Sequence, residues 1–561
     1  VKRIYWKIGT ALLFATSFLV ACQKDVLNKV PLDSFSDGSV WKDLKLAEAF
    51  ADFQYNVLPG PGHYWDNLTN RTWALSSATD EAYNRFDDYN ASIMNSGSLT
   101  PDNLGNFDIW ADTYKRIQDC NLFLSKIDGV PGDAATRNRL KAEITYLRAY
   151  AYFKLISDYG GVPLVTKPFD LNSKYDFSRS SFDDCVAFVA AQCDSAAAVL
   201  PLNYPTGAAE YGRATKAAAM ALKSRALLYA ASPFWNPTGD KVKWQLAADA
   251  AKAVIDLSAF QLYTGSYVGV CTVPNTELIM VRLGNKQYQW SSFQGVEMFL
   301  APCGYHGWSS FAPSQNLVDA FGTADGKDIT DPSSGYDPQH PYSNRDPRFY
   351  QDIISDGMPY GRPDFFQDRY KAGHSNMAEM YEGGLDSQQG WDTWNASMTR
   401  YSFRKYQDTT FNYNVETQTN KIWVVARLGE IYLNYAEAAY NLGQEGVTRQ
   451  YLNLIRHRAG IVNDLPAGLT GTALLAKIQN ERRVELCLEG HRYYDVRRWK
   501  IADVTENTPL GGVKIIKNTD GSKTYTYIKV QDRKFKKQHY LLPIPREEIR
   551  RTNLTQNDGY E

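Results

Sequence analysis

The sequence predicts a mainly α protein in which tetratricopeptide-like helix pairs form a scaffold and a loop-rich, irregular half carries little regular structure. Three observations predict it. Helical periodicity comes in neighbouring segments, alanine recurs where those segments would touch, and between residues 263 and 421 the texture changes to turns, Gly, Pro and aromatics.

The first pair spans residues 107–126 and 140–158. Apolar residues recur at Ile109, Trp110, Tyr114, Ile117, Leu122 and Phe123, then at Ile144, Leu147, Tyr150, Ala151 and Leu155, which lines one helix face in each segment. Pro131-Gly132-Asp133 supplies the turn between them. Residues 182–200 and 215–231 form a second pair, 244–257 a further helix, and 428–442 with 447–459 a later pair. The last long helix is expected from about Thr472 to Trp499. Ala142, Ala149 and Ala151, then Ala218, Ala219 and Ala226, then Ala436, Ala438 and Ala439 are small enough to let helix axes approach closely. The spacing is too irregular for a tandem array, and a generic helical bundle fits the pattern equally. The scaffold is expected mainly over 106–260 and 427–500, and the irregular half, where binding loops belong, mainly over 263–421.

Near the start, Lys2, Arg3 and Lys7 precede an apolar run that is too short to span a bilayer and ends in Leu19-Val20-Ala21-Cys22. That ending resembles a bacterial lipobox. The expected layout is a signal peptide over 1–21, a lipidated tether over 22–40 attached through Cys22, and a single domain over 41–561. No Ser/Gly-rich or Pro-rich linker divides this last stretch.

Lys plus Arg number 61 against 62 for Asp plus Glu, so no basic field favours nucleic acid. Aromatics make up 13%, with 37 Tyr and 13 Trp, and many of them fall in polar, Gly-rich segments. After Cys22, cysteines stand at 120, 185, 193, 271, 303 and 487 without a CxxC pair, and they read as buried free thiols.

Catalytic chemistry is poorly supplied. The histidines are scattered singly, and there is no HExxH, GxSxG or P-loop, so no catalytic residue, metal or cofactor is assigned. Carboxylate pairs at Asp80-Glu81, Asp87-Asp88 and Glu481/Glu485 could serve a glycosidase in principle. Glu481 and Glu485, four apart on a segment crowded with Arg482, Arg483, Arg492, Arg497 and Arg498, suit an internal ion-pair network better. Asp80 and Glu81 sit in a turn and are expected to bond backbone.

Binding is better supplied. Sugar rings present C–H faces that pack on aromatic rings and hydroxyls that need fixed polar partners. That mixture occurs in Tyr83-Asn84-Arg85-Phe86-Asp87-Asp88-Tyr89-Asn90, in Gln287-Tyr288-Gln289-Trp290 with Tyr305-His306-Gly307-Trp308, and in Trp391-Asp392-Thr393-Trp394-Asn395. A weaker instance is His63-Tyr64-Trp65-Asp66-Asn67. Core packing is the competing role for each ring, most of all for Trp308. Trp110, Trp235, Trp244, Trp423 and Trp499 read as core.

Several strings together resemble the RagB/SusD family of nutrient-binding lipoproteins. They are Ala142-Glu143-Ile144-Thr145-Tyr146-Leu147-Arg148-Ala149 with Asp158-Tyr159-Gly160-Gly161-Val162-Pro163, then Ala231-Ser232-Pro233-Phe234-Trp235-Asn236, Pro313-Ser314-Gln315-Asn316-Leu317 and Arg345-Asp346-Pro347-Arg348-Phe349. Further strings are Arg427-Leu428-Gly429-Glu430-Ile431-Tyr432, then Glu481-Arg482-Arg483-Val484-Glu485-Leu486 through Gly490-His491-Arg492-Tyr493-Tyr494-Asp495, and finally Leu542-Pro543-Ile544-Pro545, in family order. The resemblance implies a SusD-like fold without catalysis, lipid-anchored in the outer membrane and facing the cell exterior. Its partners would be a glycan ligand and a SusC-like TonB-dependent transporter. A related branch captures peptides, and a surface glycoside hydrolase is the remaining alternative.

The resemblance also places a ligand loop at residues 82–105, with Tyr83, Phe86 and Tyr89 as its rings. The family's Trp is missing there, which shifts weight to later aromatics. The expected ligand-binding set is Tyr83, Arg85, Phe86, Asp88, Tyr89, Trp290, Tyr305, Trp308, Trp391 and Trp394.

Overall fold

The computed structural model describes residues 37–60, 71–87, 90–169, 177–266, 269–283, 296–362, 364–409, 412 and 422–561. Its longest helices begin with α1 (Leu44–Gln54), α2 (Trp110–Lys126) and α3 (Ala134–Tyr159), followed by α4 (Phe182–Ala197), α5 (Lys216–Ala231) and α6 (Lys241–Asp256). Starts are set by short polar side chains that take up backbone N–H groups left unpaired in the first turn. Asp133 accepts from Thr136, Ser181 from Asp184, Thr215 from Ala218 and Asp240 from Val242. Helix α3 ends at Gly160, whose φ of 77° suits a residue without a Cβ. It begins six residues before the expected segment, because Asp133 caps a polar first turn that carries no hydrophobic signal.

From α2 onward each helix packs on the next, and α6 then packs directly on α7 (Leu428–Asn441), which packs on α8 (Glu445–Arg458). The helix stack therefore runs on past the irregular half, which is an excursion between α6 and α7. The nine alanines expected at helix contacts are all buried. At the neck of the excursion, β2 (Leu278–Leu283) pairs antiparallel with β6 (Ile422–Arg427). Glu277, just before β2, accepts from Arg427 at 2.7 Å through its carboxylate and from the Leu428 N–H at 2.9 Å through its carbonyl.

The single helix expected over 472–499 is two, α9 (Gly471–Glu485) and α10 (Arg492–Arg498). Leu488 and Gly490 adopt φ of 62° and 81°, which turns the chain between them. The turn lets the carboxylates of Glu485 and Glu489 both reach Arg427, at 2.7 and 2.8 Å. A continuous helix would direct those two side chains along one rising face, whereas the buried guanidinium needs them on either side.

Glu481 and Glu485 do sit in a buried ion-pair network, but their partners are not the arginines adjacent in sequence. Arg348 pairs with both, and Arg427 and Arg458 add to Glu485. The neighbouring Arg482 and Arg498 turn to Asp495, at 3.1 and 2.8 Å. Four cations around Glu485, Arg458, Arg427, Arg348 and Lys405, outweigh its burial and hold its carboxyl well below the usual range. Glu81 accepts the Leu488 N–H at 2.9 Å as expected of a turn acid, whereas Asp80 departs from that expectation by pairing with Arg492 and Arg483 at 2.8 and 2.9 Å.

The six cysteines after Cys22 are buried and free. The other strands also pair two by two. β1 (Ala82–Asn84) pairs with β3 (Phe311–Pro313), β4 (Ile353–Ile354) with β5 (Ser402–Phe403), and β7 (Leu510–Lys517) with β8 (Lys523–Gln531). Among the described residues no helix is long and apolar enough to cross a membrane.

Candidate functional site

The site grows from the β1–β3 ladder. Ser314 clamps the preceding turn through the Asp80 and Glu81 carbonyls, and the register sets Tyr83 opposite Ala312. The Arg85 N–H donates to the Ser310 carbonyl at 2.8 Å, so the chain leaves the ladder held in place. The Arg85 guanidinium then reaches across to the irregular half. It donates to the carbonyls of Ala396 at 2.6 Å and Thr393 at 3.3 Å and contacts Met398 Sδ at 3.0 Å.

This bridge brings Phe86 against Trp394, with ring centroids 5.6 Å apart and planes 23° from parallel. Trp394 is 70% exposed and Trp391 is 46% exposed, both unusual for so large an apolar ring. The turn that carries them is fixed by Asp392, whose carboxylate accepts from the Asn395 backbone at 3.1 Å and side chain at 2.6 Å. Trp391 lies between two histidine rings, His306 at 6.4 Å and His374 at 6.2 Å. His306 bonds Asp368 at 2.7 Å and His374 bonds Glu379 at 2.9 Å. Partial burial would raise the Asp368 pKa, but the Arg369 N–H and His306 prevail and hold it below the ordinary value. Arg400 donates to the Gln388 side chain at 3.1 Å, and its own pKa is lowered by burial.

The arrangement is a partly open aromatic surface edged by amides, imidazoles and guanidinium groups. It offers flat faces and hydrogen-bonding partners for a polar ligand with apolar faces. Among the described residues the carboxylates around it are each engaged, Asp87 by Ser92, Asp392 by Asn395, Asp368 by His306 and Glu379 by His374.

Of the ten expected residues, Arg85, Phe86 and Trp394 come together, with Trp391 on the same turn as Trp394. Tyr83 is half-buried in β1, and burial raises its pKa. Tyr305 departs from the expectation. It is fully buried, with the Arg369 guanidinium 4.1 Å above its ring and Phe366 edge-on at 5.1 Å, so it has no face to offer a ligand. Trp308 is half-buried, edge-on to Phe299 at 5.1 Å, and packs against the core. Asp88, Tyr89 and Trp290 lie outside the described residues, as do His63 and Trp65. Sequence reasoning missed His374, Gln388 and Arg400 and gave His306 no role, because no spacing rule links these single polar residues to Trp391.

A family model described as "SusD family" matches residues 276–560, and one described as "Starch-binding associating with outer membrane" matches residues 32–228. The chain belongs to the SusD family. It is 24% identical over 421 residues to a SusD-like protein of Formosa agariphila, covering 70% of each chain. Among solved structures, a SusD-like protein of Bacteroides fragilis is 28% identical with a TM-score of 0.79, over 95% of this chain and 100% of that one. A SusD-like carbohydrate binding protein of the same organism is 24% identical with a TM-score of 0.72, over 91% and 98%. A laminarin binding SusD-like protein is 21% identical with a TM-score of 0.64, over 92% and 100%. The mainly helical SusD fold of this chain agrees with all three.

Proposed function

We propose that this SusD-family protein binds oligo- or polysaccharide at the cell surface on the Phe86, Trp394 and Trp391 rings, with Arg85 and Tyr83 at its edge. It would be held in the outer membrane by lipid at Cys22 and pass its cargo to a SusC-like TonB-dependent transporter without chemistry of its own. The observation that carries the reading is the Phe86–Trp394 stack with most of the Trp394 ring open, a surface that costs solvation energy unless something covers it. The carbohydrate and laminarin named for two structural neighbours fit the same reading. Among the described residues the nearby carboxylates are each engaged, which supports binding over hydrolysis, a reaction that needs two carboxyl groups facing one bond.

A site that must release its cargo requires modest affinity, about −4 to −8 kcal/mol, or millimolar to micromolar. Calorimetry against soluble starch, laminarin and other neutral glycans, with a peptide panel alongside, tests the ligand class. Binding to peptides alone would move the protein to the peptide-capturing branch, and release of reducing ends from a bound glycan would make it an enzyme. Affinity purification in mild detergent should recover a TonB-dependent transporter, and recovery of this chain alone in several detergents would count against the partnership.

A further inference from the structure

Away from the aromatic surface, a cavity of about 530 Å³ lies where the connection between α4 and α5 folds over β2. Its walls include the rings of Tyr204, Tyr211, Phe260 and Tyr263, and its floor is the apolar start of β2. None of these residues belongs to the Phe86–Trp394 surface. The volume falls within the range of small-molecule sites, roughly 300–1,000 Å³.

The cavity is built rather than incidental. Backbone bonds from Ala208 to Pro205, Tyr211 to Ala208 and Arg213 to Glu210, at 2.9 to 3.1 Å, wind the connection into successive turns. The Tyr55 hydroxyl anchors it by accepting the Ala214 N–H at 2.8 Å. Gly212 lets it press onto the strand, since its φ is +96° and a Cβ there would meet Leu283 at 3.3 Å.

The chemistry of the lining narrows the ligand. Arg213 is the charged residue of the lining, and Asp52, Glu143 and Glu48 already match it at 2.8, 2.9 and 3.1 Å, so an anion gains little there. Four rings supply flat apolar faces. The Tyr211 hydroxyl is shielded from solvent beside Thr206, and since a phenol hydroxyl both donates and accepts, a bond to Thr206 still leaves it hydrogen-bonding capacity to satisfy. Asn203 and Tyr204 also line the cavity and bring an amide and a phenol hydroxyl to it.

We propose that this cavity is a second saccharide site, which takes a short neutral sugar segment between its aromatic walls. The choice of ligand rests on the glycan reading given above, whereas the cavity and its lining do not. The segment could be part of the polymer held at Trp394 or a free oligosaccharide. In the first case two weak sites on one chain would reinforce each other through effective concentration.

Crystals of the wild-type protein and of Trp394→Ala, Tyr204→Ala and Tyr211→Phe soaked in maltotriose or laminaritriose test the proposal. Sugar is expected in the cavity of wild type and Trp394→Ala, lost in Tyr204→Ala and weakened in Tyr211→Phe. Sugar at Trp394 with an empty cavity would overturn this inference and leave the glycan reading standing, and sugar at neither place would overturn both. Titration with long amylose or laminarin separates the two sources. A loss of at least about fivefold in affinity in Tyr204→Ala marks a bridging chain, and unchanged affinity with the trisaccharide still seated marks a free oligosaccharide site.

Discussion

Phe86 and Trp394 lie ring against ring at 5.6 Å although they come from distant parts of the chain, one at the end of the β1 ladder and the other on a turn of the irregular half. Each ring shields one face of the other, and the remaining Trp394 surface is open to solvent.

Trp394→Ala should therefore weaken glycan binding about tenfold or more, the loss of roughly 1.4 kcal/mol or above that an exposed stacking ring can supply. Its melting temperature should move little, because few contacts hold an exposed side chain. Calorimetry and thermal melts on one preparation check both halves of this expectation. Wild-type affinity in the variant would place the ligand elsewhere.

Arg85→Ala removes the bridge to Thr393, Ala396 and Met398 without touching either tryptophan. Backbone amides at 85–87 and 391–398 should exchange with deuterium faster, and glycan affinity should fall with them. Arg85→Lys should rescue little, since one ammonium cannot reproduce a forked guanidinium. Unchanged exchange in both segments would show that Arg85 holds nothing in place.

In the scaffold, Trp110 is almost fully buried, edge-on to Tyr159 at 5.1 Å and beside Tyr114 at 5.0 Å. Trp110→Ala should lower stability by about 3–5 kcal/mol, the usual cost of emptying a large aromatic site, and leave sugar affinity intact. Urea denaturation measures the first and calorimetry the second.

Asp352 provides a pH signature. Burial pushes its carboxyl up to about 7, against the partial relief of nearby Lys405, and Cys487 donates to Oδ2 at 3.5 Å. An unfolded aspartate titrates near 3.9, so between about pH 4 and 7 the folded protein holds a proton that the unfolded chain has lost. The contribution of this group is complete below about pH 4 and disappears as pH rises to 7. Asp352→Asn, which resembles the protonated acid, should gain stability relative to wild type across that window and hold a constant advantage above it. Parallel stability curves for the two proteins would refute the assignment.

Cys22 lies outside the described residues, and its role rests on the residues around it. Cys22→Ala should leave the protein uncleaved or release it from the membrane fraction, because stable anchoring needs acyl chains on that residue. Mass spectrometry of the mature amino terminus reads the lipid directly. An unmodified terminus with unchanged fractionation would remove the anchor from the proposal.

The helices were legible because each buries one face, and a period near 3.6 is the trace which burial leaves in sequence. The break between α9 and α10 was not legible. The spacing over residues 472–499 reads as one helix, and the contacts made at the turn, from Glu485 and Glu489 to Arg427, involve a residue of β6 far away in sequence. At the candidate site, ring-rich polar strings pointed to the right neighbourhoods. Exposure of a given ring could not be read from them, because it depends on what arrives from elsewhere. Arg369 caps Tyr305 and seals it in the core, whereas nothing among the described residues covers the outer face of Trp394.

The neck formed by β2 and β6 makes the irregular half resemble an interchangeable cassette. Helix α6 packs on α7 and β2 pairs with β6, so the excursion leaves and returns at one place, and the entropy of closing a flexible loop rises only with the logarithm of its length, about 0.6 kcal/mol for each doubling. A lineage could therefore exchange the turn that carries Trp391 and Trp394, lengthen it or reshape it, while the helical stack and the Glu277–Arg427 clasp stay as they are. Innovation in what is recognised would then be separable from conservation of what supports it.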